Sequence, residues 1–255
     1  MELNHLLQLL DAERRSVIPW GAEGEFLPRV TRVRGVATRW HTIAFSALTT
    51  EDAEEEIRTQ VAHYRALGCS VEWTVYAHDS PADLRHRLAR QGFEMGPREA
   101  ILVLDTEQRP AWLATPSAHR VERLVRPEQL VQFASLAEEI FGGNRDSIVK
   151  ELATALEQGV DELVGYLGFE GETAVSVGRL YVSPRSCFAG LYGGGTLEGH
   201  RGRGLYRAMI AERVAEAMRR GVRYMRVDAL PTSQPILERL GFRELTHAWP
   251  CRLEL

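Results

Sequence analysis

Residues 201–207 read R-G-R-G-L-Y-R, between a run of three glycines (Gly193, Gly194, Gly195) and a long helical pattern. A chain with this segment has to turn from an extended stretch, through a loop suited to anions, into a helix. Glycine reaches φ > 0 and lets a ligand approach the main chain closely. The first N–H groups of a helix lack intrahelical partners, and the helix dipole favours an anion there. Successive main-chain N–H groups can form the same kind of anion nest. Arg201 and Arg203 add fixed positive charge. A helix N-terminus alone is worth about 0.3–1 kcal/mol per charge at an exposed site, so several donors must converge to hold a phosphate.

Three phosphate-binding patterns compete for the loop. The P-loop ends in Gly-Lys-Ser/Thr, with the lysine on the terminal phosphates. The only lysine in this chain is Lys150, which removes that pattern. The dinucleotide fingerprint G-x-G-x-x-G needs a third glycine, and counted from Gly202 and Gly204 that place holds Arg207. The third pattern, Arg/Gln-x-x-Gly-x-Gly/Ala, binds the pyrophosphate of coenzyme A. It fits at Arg201 with Gly204 as its central glycine, and departs from the usual small residue at Tyr206.

On these residues the chain resembles the GNAT superfamily of acyl-CoA-dependent N-acetyltransferases. The resemblance covers about 116–255. Strand-like HRVERLV (119–125) precedes two helical patterns, EQLVQFASLAEEIF and RDSIVKELATALEQ. Strand-like ELVGYLGFEG, TAVSVGRLYVSP and CFAGLYGGGT follow, then the loop and a helix over 205–220. Leu205, Met209, Ile210, Val214, Ala217 and Met218 fall on one broad face of that helix, an apolar core face. Arg219, Arg220 and Gly221 are its stop signals. A last strand, YMRVDAL, leads to SQPILERLGF. Leu-Gly-Phe after a short helix is a second superfamily feature, with Gly241 just past the helix end and Phe242 dropping into the core.

Residues 1–108 look like a faded repeat of the same unit. VTRVRGVATRWHTIAFSAL (30–48) alternates as strand. TEDAEEEIRTQVAHYRALG (50–68) reads as a helix with Thr50 as N-cap and a terminal glycine. Strand-like SVEWTVYAH, a short helix in SPADLRHRLARQGFEMG and strand-like REAILVLD complete the half. Ser80-Pro81…Leu84…Leu88…Gly92-Phe93 parallels Ser233…Pro235…Leu237…Leu240-Gly241-Phe242. Arg32-Val-Arg-Gly35-Val-Ala37 also matches the cofactor pattern, but TRWHTIAFS after it alternates as a strand. Without a helix there is no row of free N–H groups, so only the second match is expected to work. The connection TEQRPAWLATPSAH (106–119) reads as a linker. The expected fold class is thus α/β (α+β), in two GNAT-like units, each a mixed, mostly antiparallel twisted sheet flanked by helices. The expected domains are 1–112, degenerate, and 113–255, the acetyl-CoA-binding acetyltransferase.

Composition narrows the setting. At 255 residues the chain has room for one large or two small domains, and its 44% hydrophobic content is that of a soluble globular protein. No apolar stretch of about 18 residues exists to cross a membrane. MELNHLLQLLDAERR is amphipathic with early acids, unlike a signal peptide. A net charge of −4 argues against nucleic acid. Cys69, Cys187 and Cys251 are scattered and form no C-x-x-C or Cys/His cluster, which speaks for a reduced, cytoplasmic compartment and against a metal site.

The resemblance implies transfer of an acetyl group from acetyl-CoA to a primary amine of a small molecule or peptide, by a monomer or homodimer. The alternative is a non-catalytic acyl-CoA-binding regulatory module. The cofactor residues it implies are Arg201, Gly202, Arg203, Gly204, Leu205, Tyr206 and Arg207 of the loop. Gly194, Gly195 and Thr196 match the segment that pairs with the pantetheine arm, where glycines suit a bulged strand that splays. Ser233 is carried over as a polar residue near the cofactor. A main-chain N–H of the strand before the loop would meet the developing negative charge on the carbonyl oxygen. The catalytic base and acid stay unassigned. Glu198, Asp228 and His247 each have an ordinary structural reading, and Leu237 stands where many relatives place an acidic Tyr.

Overall fold

The computed structural model describes residues 3–36, 40–108, 110–115 and 117–255. In chain order its elements are α1 (Leu3–Ser16), β1 (Ala22–Phe26), β2 (Val30–Gly35), β3 (His41–Ser46), α2 (Ala53–Leu67), β4 (Val71–Tyr76), α3 (Leu84–Arg90), β5 (Glu94–Met95) and β6 (Glu99–Asp105). There follow β7 (Arg120–Arg123), α4 (Pro127–Phe141), α5 (Asp146–Glu157), β8 (Leu163–Glu170), β9 (Thr173–Val182), β10 (Phe188–Thr196), α6 (Leu205–Arg219), β11 (Tyr224–Ala229), α7 (Gln234–Arg239) and β12 (Arg243–Leu253). The chain divides into two units. Unit 1 holds 1–102, 229–238 and 243–255; unit 2 holds 103–228 and 239–242. The division thus falls within β6, and a C-terminal stretch returns to unit 1. The expected boundary between 112 and 113 lies inside unit 2.

In unit 1, β1, β2 and β3 form an antiparallel meander. The helix α2 carries the chain across, and β4 lies parallel to β3, in register at Thr42↔Glu72 and Ile43↔Trp73. β12 pairs antiparallel with β4 from Ala248↔Tyr76 to Leu253↔Val71. The core gathers Trp73, Ile43, Ile57, Tyr64, Leu84 and Leu88 under Cys251 and Leu253. The repeat predicts a strand after the short helix of each half, and β12 is that strand in the second half. Helix α2 starts later than expected. Its N-cap is Asp52, not Thr50. Thr49 and Asp52 hold the turn reciprocally, with Thr49 N donating to Asp52 Oδ1 at 2.8 Å and Asp52 N to Thr49 Oγ1 at 3.3 Å.

Unit 2 repeats this plan. β7, β8, β9 and β10 are successive antiparallel neighbours, and β11 lies parallel to β10 after α6 has crossed over. The helices α4 and α5 pack on β8, β9 and β10 through Leu130, Phe133, Leu136 and Leu152, which meet Leu167 and Val177. The helix α6 also packs on β8, β9 and β10. It comes close because its neighbours are small: a Cβ on Gly178 would stand 2.9 Å from Arg213 Cζ and 3.1 Å from Met209 Cγ. The repeat extends to the short helices. Gly92 and Gly241 have φ of 95° and 89°, and the following Phe93 and Phe242 are both buried.

The stretch 106–119 is more than a tether. Two single-turn 3₁₀ segments, Thr106–Gln108 and Ala111–Leu113, belong to unit 2. Thr106 Oγ1 donates to Arg223 O at 2.8 Å, and Trp112 Nε1 to Leu240 O at 2.7 Å. Among the described residues no helix is long and apolar enough to cross a membrane.

Candidate functional site

The two strands that frame the R-G-R-G-L-Y-R loop separate as they approach it. Parallel pairing of β10 with β11 runs from Phe188↔Tyr224 to Gly190↔Arg226 and stops. From Leu191 to Thr196 the strand β10 keeps β9 on one side only. Its other edge presents main-chain N–H and C=O groups with no strand to satisfy them, and such groups must be met by solvent or a ligand. Between Tyr192 and Gly195 the register with β9 also shifts, a bulge that bends the strand.

Each glycine of the bulge has its own neighbour. Gly193 has φ of 51°, and Arg179 Nε would stand 3.3 Å from a Cβ there. At Gly194 a Cβ would come 3.0 Å from an Nη of Arg213 and 3.3 Å from Cε2 of Tyr206. At Gly195 it would collide with Ile140 and Phe141 at the end of α4, 2.5 and 2.7 Å away. The large Tyr206, at a position where a small residue is usual for the motif, therefore rests where Gly194 leaves room. Burial pushes its phenol pKa up. Thr196 is buried, and Ser176 Oγ bridges it and the Gly195 carbonyl, at 3.1 and 2.7 Å.

The loop itself is a wound turn. Gly204 is the N-cap of α6 with φ of 92°, and Gly202 has φ of 76°. A Cβ on Gly202 would meet nothing within 4 Å, and one on Gly204 only His119 at 3.7 Å. These glycines serve the backbone path and leave open space above it. Behind that space lie the first N–H groups of α6, on Leu205, Tyr206 and Arg207, which a helix start leaves without intrahelical acceptors. Leu205 anchors the turn in the core, and Arg207 is exposed.

Two of the loop arginines have structural work. Arg201 Nε donates to Thr196 O at 3.0 Å. Arg203 Nη1 donates to Glu170 at 2.8 Å and Nη2 to Gly199 O at 3.1 Å. His200 Nδ1 lies against the same carboxylate, and His119 Nε2 meets Arg203 O at 2.7 Å. The Arg203 guanidinium, and after it His200, hold the Glu170 carboxyl below its ordinary 4.5. The motif alone offers Arg203 as fixed positive charge for a phosphate. In the structure it is shared with Glu170, a residue on a distant strand that no local signal marks.

The remaining expected residues are spread over both units. Ser233 belongs to unit 1, with its Oγ donating to Leu230 O at 3.2 Å. Leu237 is fully buried there. His247 lies on β12 with Nδ1 3.4 Å from Glu244. Glu198 is exposed in a 3₁₀ turn, Glu198–His200, before the loop. Asp228, on β11 in unit 2, accepts two hydrogen bonds from Arg226, at 3.0 and 2.8 Å. The first-half pattern at Arg32 is strand β2. Arg32 Nε donates to Gln60 at 2.7 Å and Nη1 to Glu25 at 2.8 Å. Ala37, the end of that pattern, lies outside the described residues. Arg213 was missed by pattern reading, although a charge at core spacing on α6 was a usable signal.

This geometry matches solved structures across nearly the whole chain. A GCN5-related N-acetyltransferase from Kribbella flavida superposes with a TM-score of 0.66 at 15% identity, over 98% of this chain and 93% of its own. The fold is that of the GCN5-related N-acetyltransferases. The tandem character is matched too. A tandem GNAT protein from the clavulanic acid biosynthesis pathway gives a TM-score of 0.60 at 12% identity, over 98% of this chain and 94% of that one. A conserved protein of unknown function from Staphylococcus epidermidis gives 0.70 at 11% identity, over 93% and 96%. No protein-family profile and no curated protein sequence matches the chain. At such identities the GNAT fold is shared while side chains have diverged, so the site must be argued from its own residues.

Proposed function

We propose that unit 2 binds acetyl-CoA and passes its acetyl group to a primary amine of a small molecule or peptide. The observation that carries this is the parting of β10 from β11 after Gly190, directly ahead of a glycine-capped helix start. Those two features suit a long ligand with an amide-bearing arm and a pyrophosphate. The free edge of Leu191–Thr196 can pair with the amides of the arm, Gly194, Gly195 and Thr196 included. The main-chain N–H groups from Gly202 to Arg207 can take the pyrophosphate, with Arg201 and Arg203 adding charge above a turn they also brace. When bound, acetyl-CoA supplies the acetyl group already activated as a thioester.

The chain supplies position. Holding amine and thioester in contact can contribute several kcal/mol, up to about 7–11 in well-aligned cases. The bulge at Tyr192–Gly195 lies beside the parted strands, where a main-chain N–H can stabilise charge on the carbonyl oxygen. Tyr192 and Asp228 share a face of the sheet near this opening and are the candidates to take a proton from the amine through water. The three cysteines stand free, in keeping with the reducing cytoplasm.

The test is to incubate the protein with acetyl-CoA and a broad amine panel while following free thiol. Thiol release that depends on one amine class is expected. A second reading, a non-catalytic acyl-CoA-binding regulatory module, is favoured by one observation: Leu237 fills the position of the usual acid with a fully buried apolar side chain. Cofactor binding by thermal shift with no thiol release for any amine would select it.

A further inference from the structure

The opening between β10 and β11 has a face rich in arginine. Tyr192 and Arg179 are register partners, as are Gly190 and Arg226, and the Tyr192 ring lies over Gly190 with Oη 3.0 Å from where a Cβ would be. Alternation then places Arg179, Tyr192, Arg226 and Asp228 on one face. Arg226 and Asp228 neutralise each other through their two hydrogen bonds. Arg179 is different. Its guanidinium lies against Gly193 of the bulge, and the groups that act on it are the charges of Glu151 and Arg145 and the Tyr192 ring. Burial outweighs those charges and pulls its pKa down. Arg145 donates through Nη2 to Phe141 O at 3.0 Å, yet its Nε is buried with no partner. Buried donors are almost always satisfied, so the orphaned Nε of Arg145, with the Arg179 guanidinium within reach of its charge, calls for an acceptor that arrives from outside. The local balance sets its charge. Arg179, Arg145 and the nearby Arg213 outnumber Glu151, so the net charge here is positive and suits an anion.

We propose that Arg179, with the free Nε of Arg145, is an anion subsite beside the transfer site, and that the acceptor is an amine bearing a carboxylate, of the amino-acid kind. The proposal rests on reading unit 2 as the acetyl-CoA-dependent transferase. A planar carboxylate matches the fork of a guanidinium, whereas a polycationic or neutral amine leaves these donors unpaired.

Calorimetric titration of a panel of N-acetyl-L-amino acids and their carboxamides, with and without coenzyme A, reads the subsite without turnover. At least one acid should bind tenfold or more tightly than its own amide. Arg179→Gln should erase that preference, Arg179→Lys should restore part of it, and Arg145→Gln should weaken it. Equal binding of acids and amides, no binding of any acid, or an intact preference in Arg179→Gln would overturn the proposal. Loss of coenzyme A affinity in Arg179→Gln would overturn it too, by showing that Arg179 only shapes the bulge. Failure of the transferase reading shows separately, as acids binding to a protein that coenzyme A does not bind.

Discussion

Arg213 is a full positive charge in the core of unit 2, 1% exposed. It faces no carboxylate within ion-pair distance among the described residues. Its donors go instead to main-chain carbonyls: Met209 at 3.0 Å, Arg179 at 3.0 Å and Tyr192 at 3.5 Å. Burial pulls its pKa down to about 10, so at neutral pH it is still a cation. Because its donors reach both Arg179 on β9 and Tyr192 on β10, it clamps the strand pair where the bulge begins. Replacing Arg213 with Met should cost roughly 2 kcal/mol in urea unfolding, since the loss of charge burial offsets part of the cost of unsatisfied carbonyls. Gly204 makes the contrasting case. With φ of 92° and open space above it, Gly204→Glu adds a side chain and a charge over the proposed phosphate site. It should abolish acetyl-CoA binding in a thermal-shift titration and leave the far-ultraviolet circular dichroism unchanged. Of these two residues, Gly204 was legible in the sequence because a motif contains it. Arg213 was legible only as a charge at core spacing on α6, because two of the carbonyls it meets lie on β9 and β10.

The element that matters most is the start of α6, and its brace comes from β8. Glu170 ties down Arg203 and His200, which fixes the path of the turn before Gly204. The carboxyl is held below its ordinary 4.5 in the folded protein, so its contribution is present above that value and fades as pH falls beneath it. Acetyl-CoA affinity should accordingly decline below about pH 4.5 more steeply in the native protein than in Glu170→Gln, which is already without the brace. Fluorescence titration across pH 3.5–7 is the measurement, and identical profiles would remove Glu170 from the loop. The apolar periodicity of α6, the strand β9 and the helices α4 and α5 were all readable, because each depends on a local alternation of burial. Helix α2 shows the limit of such reading. Thr50, a residue of the right type, yielded the cap to Asp52, because Thr49 reaches back to close the turn.

For the molecule as a whole, the path of the C-terminal chain is the decisive fact. β12 lies in unit 1, against β4, although a sequence division at 112 assigns it to the second half. A fragment 1–112 would lack that strand and expose the edge of β4, whose Trp73 and Val75 are buried in the full chain. It should be aggregated or poorly folded by size-exclusion chromatography and circular dichroism. A cooperative, monomeric fragment would show that β12 is dispensable to unit 1. By itself the sequence determined the order of strands and helices over 119–242, the internal repeat and the glycine-capped helix start, because period, turn chemistry and backbone freedom are local properties of consecutive residues. Residues 30–48 read as one strand where the structure has two, β2 and β3. Only the tertiary structure decided that β10 parts from β11 after Gly190, that Glu170 occupies Arg203, that Tyr206 fits against Gly194, and that the last strand belongs to unit 1. Each of these depends on residues far apart in the chain meeting at one place, and burial and pairing at that place carry no mark in the sequence on either side.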